Sequence, residues 1–115
     1  MYIGSNMKFF TIFIALFLSL AVQADNKWHD STIKTIYPTA DGGFVLILDT
    51  DSSNCPQTAV GKYHYVTVGD NSMTTEGANK IYSLALMAAA TDKVVNIYFN
   101  DATNRCAINR MHVSF

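Results

Sequence analysis

Between Gly69 and Met73 the apolar residues of the domain change from a strand period to a helical one. The segments on either side alternate every second residue, as strands do. From Thr74 to Thr91 the spacing is helical: Ile81, Leu84, Ala85 and Ala88 form one stripe, flanked by Tyr82, Leu86 and Ala89. A single helix embedded among strands restricts the chain to a β-rich fold in which that helix covers or plugs a sheet. Asp70, Asn71, Ser72 and Thr74 are all N-cap residue types, and Glu76 suits the first turn. The alanine-rich end, LALMAAA, has high helix propensity and small side chains, so the helix is expected to pack closely on its partner.

Five segments carry the strand signal. STIKTIY opens at Ser31 and ends before Pro38. PTADGG is a turn cluster, and FVLILD (Phe44 to Asp49) returns as the second arm of a hairpin. This second strand is apolar on both faces, which predicts a central, covered position. After the turn-rich loop TDSSNCPQTAVG comes KYHYVTV, then the helix, then KVVNIYFN and CAINRMHVSF. The polar stretch DNKWHD is read as a lead-in without a strand. The resulting order, β-β-β-α-β-β, is that of the OB-fold, a five-stranded Greek-key barrel capped by one helix. An open five-stranded sheet with the helix on one face is the alternative. The doubly apolar second strand favours the barrel.

The stretch MKFFTIFIALFLSLAVQA has a positive Lys8, an apolar run of about 14 residues and the small-x-small ending Val22-Gln23-Ala24. The run is shorter than the roughly 20 residues that span a bilayer. It is expected to be a secretory signal, residues 1–24, cleaved after Ala24, with Met7 as an alternative start. The remaining residues, 25–115, form one expected domain with no further membrane span, placed in the periplasm or outside the cell. Without Lys8, the nine acidic residues slightly outnumber the basic ones, which argues against nucleic acid as a partner. Export puts Cys55 and Cys106 in an oxidising compartment, where a disulfide between them is expected.

No catalytic signature emerges, and the chain is read as a non-enzyme without cofactor or metal. Asp49 and Asp51 could share a face at a strand end and hold Ca²⁺, but the full acidic calcium-loop spacing is missing. His64 and His112 lack a partner carboxylate at a telling position, and the three histidines have no zinc-ligand spacing. Tyr63, Tyr65, Tyr98 and Phe99 are strand aromatics that would stack on sugar rings if exposed, or fill the core if not.

The stretch KIYSLALMAAATDKVVNIYFN resembles the B subunits of the AB5 toxins of the subtilase cytotoxin and typhoid toxin type. The residues that carry this are Tyr82 in the helix, the Ala85-Leu86 pair, a short polar break, and Val95, Ile97 and Tyr98 in the following strand. Trp28, Ser31 and the aromatic-apolar strand from Phe44 to Ile47 fall in the same order upstream. The resemblance implies an OB-fold, a ring of five copies and binding of sialylated glycans. It also implies a sugar contact at Ser31, with a second at the position of Phe99, where the family has a tyrosine. Ser31, Tyr63, Tyr65 and Phe99 are therefore the candidate ligand-binding residues of an exported module that recognises a glycan or protein surface. A monomeric envelope protein of structural or inhibitor type is the competing reading.

Overall fold

The computed structural model describes residues 26–115. The expected signal segment lies outside the described residues. Six strands form two three-stranded antiparallel sheets: β1 (Asn26–Ser31), β5 (Val95–Asn100) and β6 (Ile108–His112) make one, in the order β1-β5-β6. The other is β2 (Ile33–Pro38), β3 (Phe44–Leu48) and β4 (Tyr63–Val66), with β3 central. The helix α1 (Thr75–Ala90) lies between β4 and β5.

This corrects the expected order in two respects. The fold is not a single closed five-stranded barrel, and the helix follows the fourth strand rather than the third. Both differences have one cause. Asn26–Ser31 is a strand, because its backbone pairs with β5 from Asn26↔Asn100 to Ser31↔Val95. Such pairing needs only free N–H and C=O groups, so a polar sequence can supply it. The chain then bends at Thr32 and enters the other sheet. The exit of β3 is fastened to that bend: the Asp49 N–H donates to the Thr32 carbonyl at 3.0 Å, and the Thr50 N–H to Ser31 Oγ at 3.0 Å.

The helix follows its sequence signals closely. Thr74 is the N-cap, its hydroxyl accepting the Gly77 N–H at 3.0 Å. Beyond the C-cap Thr91, Asp92 takes a left-handed φ of 52° and the Lys93 N–H closes on the Ala88 carbonyl at 2.9 Å. Ala78, Ile81, Ala85 and Ala88 face the core. There they meet Phe44, Leu46, Leu48 and Val66 from one sheet and Val95, Ile97, Phe99 and Ile108 from the other. Small helix residues let the larger sheet residues fill the space between.

One corner joins both sheets and the long loop. Cys55 and Cys106 form the expected disulfide. His64 of β4, 1% exposed, bonds through Nδ1 to the Cys106 carbonyl at 3.0 Å and through Nε2 to Ser52 Oγ at 3.1 Å. A carbonyl only accepts, so Nδ1 carries the proton and Nε2 accepts from the Ser52 hydroxyl. Lys62 Nζ donates to the carbonyls of Ser52, at 2.6 Å, and Cys55, at 3.0 Å.

Two outcomes follow from this corner. The closed loop spans about 50 residues, so replacing both cysteines by alanine should cost about 4 kcal/mol, read as a large drop in melting temperature against the oxidised chain. Oxidised protein that melts at the same temperature would contradict this. Burial pushes the His64 imidazole down to about 4 from its usual 6.5, against the opposing pull of the Cys106 carbonyl. A group kept neutral by folding contributes fully above pH 6.5, and its contribution is lost as pH falls from 6.5 toward 4. The loss is on the order of 3 kcal/mol. Urea midpoints should fall across that window in the native chain and flatten there in His64→Gln.

Candidate functional site

The outward face of the β2-β3-β4 sheet carries a group of aromatic rings. The register places Tyr37 and Tyr65 on either side of Val45, and Thr35 and Tyr63 on either side of Ile47. Alternation sends these residues outward, while Phe44, Leu46 and Leu48 go to the core. The Tyr37 and Tyr63 rings meet edge to face at 5.8 Å, and Tyr63 and Tyr65 lie 6.4 Å apart. Tyr63 is 41% exposed, whereas Val45 beneath the rings is 1% exposed. Desolvation among the rings, together with a hydrogen bond to Tyr63, raises the Tyr37 hydroxyl to about 12. It therefore stays protonated, and available as a donor, far above neutral pH.

Arg105 closes one end of this face. Its guanidinium sits 4.2 Å from the Tyr65 ring centroid. Nε donates to Asp70 at 2.7 Å and Nη2 to Thr67 Oγ1 at 2.8 Å, which fixes the plane of the group. At the other end, Gln57 clips the long loop to β4: its Oε1 accepts the Tyr63 N–H at 2.9 Å and its Nε2 donates to the Tyr63 carbonyl at 2.7 Å. The face is thus a rigid set of rings with hydroxyl groups and one held cation. It suits a ligand with a flat apolar side and hydroxyls at its edge.

Of the four residues expected to bind ligand, the structure brings Tyr63 and Tyr65 together and separates the other two. Phe99 is fully buried, its ring packed edge-on to His64 at 4.7 Å. Ser31 is 6% exposed, and its hydroxyl donates to the Thr32 carbonyl at 2.8 Å while accepting the Thr50 N–H. In this structure Ser31 is a fastener of the bend between sheets, and Phe99 is core. Tyr98 lies on the other sheet, against Trp28 at 4.6 Å. Sequence reasoning missed Tyr37 and Arg105. The hairpin register, set by the Pro38–Gly43 turn, was the available signal for Tyr37. Nothing local marked Arg105.

The remaining chemical candidates have structural roles. The Asp51 carboxylate accepts the N–H groups of Lys62, at 3.0 Å, and Gly61, at 3.1 Å, which hold it below the usual carboxylate range. The Asp49 carboxylate accepts from the Thr32 hydroxyl. The two carboxylates therefore close loop ends rather than converge on a cation, and no group of three or more metal-ligating side chains occurs among the described residues. His64 is sealed in the core, while the His112 ring packs at a tilt against Trp28, 5.3 Å between centres. No helix among the described residues is long and apolar enough to cross a membrane.

No protein-family profile and no curated protein matches the sequence. Among solved structures, the chain is similar to the cholera toxin-like B-subunit from Citrobacter freundii, with a TM-score of 0.58 and 13% identity over 78% of this chain and 87% of that one. At that identity the likeness is one of fold, and it agrees with the resemblance to toxin B subunits read from the helix-to-strand stretch: two small antiparallel sheets and one helix in the manner of an OB-fold-like B subunit.

Proposed function

We propose that this chain is an exported, non-catalytic binding module that recognises a glycan through the outer face of its β2-β3-β4 sheet. The observation that carries this reading is the group of outward-facing rings in which Tyr63 is exposed, Tyr37 and Tyr65 are half-buried, and Arg105 is held against Tyr65. Rings fixed by edge-to-face contacts offer a stacking surface at little further entropic cost. The hydroxyls and the guanidinium supply directional donors. The B-subunit fold supports a binding role in place of a catalytic one, and its likeness to a toxin B subunit supports assembly of several copies. A ring of copies would turn weak single sites into strong attachment. Residues 1–24 are the proposed signal, and residues 25–115 the mature domain.

The test joins light scattering with a glycan array. The mature, oxidised chain should run as a closed oligomer, a pentamer by resemblance, and bind a restricted set of glycans. Tyr63→Ala and Tyr65→Ala should each weaken that binding about tenfold, the size expected for loss of one ring contact, with melting temperatures close to that of the parent. A monomer that binds no glycan would defeat the proposal and favour the envelope interaction protein.

A further inference from the structure

The other sheet has an outer face that the tyrosine site does not use. Two rows of side chains cross it in register: Trp28, Tyr98 and Arg110 in one, and Asp30, Asn96 and His112 in the next. In the first row the Trp28 ring lies 4.6 Å and the Arg110 guanidinium 5.3 Å from the Tyr98 ring. The second row borders a cleft of about 350 Å³, completed by Asp92, Lys93, Val94 and Ser114 where α1 ends and β5 begins. That volume is at the lower end of the range for small-molecule sites. The lining is polar: Val94 is its one aliphatic residue and His112 its one ring.

Separate features give this cleft a preference for positive charge. Two carboxylates, those of Asp30 and Asp92, line it against one ammonium, that of Lys93. The Lys93 Nζ already lies over the Phe115 ring, 5.9 Å from its centre. Among the described residues neither carboxylate belongs to an ion pair; the pair present there joins Arg105 to Asp70. The cleft lies just beyond the C-terminal end of α1, the negative end of its dipole, and the last turn of that helix holds no basic residue. Asn96 adds an observation of another kind. Its Oδ1 is buried without a hydrogen-bond partner, alone in this respect among the buried side-chain polar atoms of the described residues. An unmet buried acceptor is costly and calls for a donor. Asn96 lines the cleft, and rotation about its terminal torsion, which is soft in asparagine, turns that acceptor toward a bound group.

The lining also selects among cations. No three metal-ligating side chains converge among the described residues, so Asp30, Asp92 and His112 do not form a cage for a bare metal ion. A quaternary ammonium is recognised by a cage of aromatic rings, and here a single imidazole lines the cleft. A primary ammonium carries three N–H donors, which two carboxylates and an unmet amide oxygen can accept. Asp30 stands on the sheet and Asp92 in the turn after the helix. Two ammonium groups joined by a few methylenes can meet both, with the methylenes against Val94, which is 53% exposed. We propose that this cleft binds a short linear aliphatic diamine, its ammonium groups held by Asp30 and Asp92 and one N–H donated to Asn96 Oδ1. The site stands on its own residues and is independent of the tyrosine face.

The intact mature protein is titrated with 1,4-diaminobutane and 1,5-diaminopentane, and in parallel with butylamine and tetramethylammonium, all at constant ionic strength. Nitrogen-edited NMR follows the Asn96 side-chain peaks and the backbone peaks of Asp92, Lys93 and Val94. At least one diamine should move these peaks together and saturably, with an affinity about tenfold or more above that of butylamine. Asp30→Asn and Asp92→Asn, each with an unchanged melting temperature, should weaken the response about tenfold. Asparagine keeps the shape of the side chain and tolerates the left-handed backbone at position 92. The inference is overturned if neither diamine moves these peaks saturably, if butylamine or tetramethylammonium binds as well, or if either variant binds like the parent. It is also overturned if the shifts spread equally to Asp41 and Asp101, which would be general charge attraction. None of these results bears on glycan binding at Tyr63 and Tyr65.

Discussion

The structure depends on what converges on Cys106. Its sulfur is joined to Cys55, its carbonyl accepts from His64, and its own backbone lies at a left-handed φ of 44°. That conformation is costly for a side chain with a Cβ, and here several bonds hold it in place. The long loop after β3, the inner side of β4 and the start of β6 all meet at this residue. Without that junction, Ser52 and His64 would be polar groups inside an apolar core. With it, each is a partner for the other. The core between the two sheets can therefore be small and still be closed at the end where the loop would otherwise leave it open.

Much of this arrangement was legible from local signals. The helix limits follow from Thr74 and Thr91, because capping is a property of neighbouring residues. The covered position of Phe44 to Leu48 follows from its unbroken apolar run. The first strand was not legible. Asn26 to Ser31 is mostly polar, and its strand character comes from backbone pairing with β5, a partner far away in sequence. This added strand, set off from the expected first one by the bend at Thr32, pairs in a second sheet in place of a single barrel. The site residues divide in the same way. Phe99 was expected to bind ligand because the resemblance placed a sugar contact there; its alternation with Val95 and Ile97 was the local signal for the core position it takes. Ser31 is a different case: only the approach of Thr50 in three dimensions shows where its hydroxyl is directed.

The two outer faces are built by the same rule and reach different chemistry. Each sheet sends alternate residues inward to a shared apolar core, so each must present the others to water. On the β2-β3-β4 sheet those are tyrosines set at angles to one another, with Tyr65 held by Arg105, itself paired with Asp70. On the β1-β5-β6 sheet a stacked row adjoins a polar cleft, because the helix end and Lys93 rise beside it. An open face of this kind favours an extended partner or one terminal ring lying against it. A cleft favours a unit that enters.

The pairing of β1 with β5 also bears on how the chain reaches this state. Asn26 and its neighbours are made early, yet their partners from Val95 to Asn100 come near the end of the sequence. Until those residues are available, β1 has no ladder, and the bend at Thr32 has only one sheet to enter. Contacts between such distant segments carry a loop-closure cost that must be met before they stabilise anything, and they slow folding. The β2-β3-β4 hairpins can assemble on their own schedule, but the domain as a whole cannot close until almost all of it is present. This topology favours a chain that closes late, once its last strands are available to pair with its first.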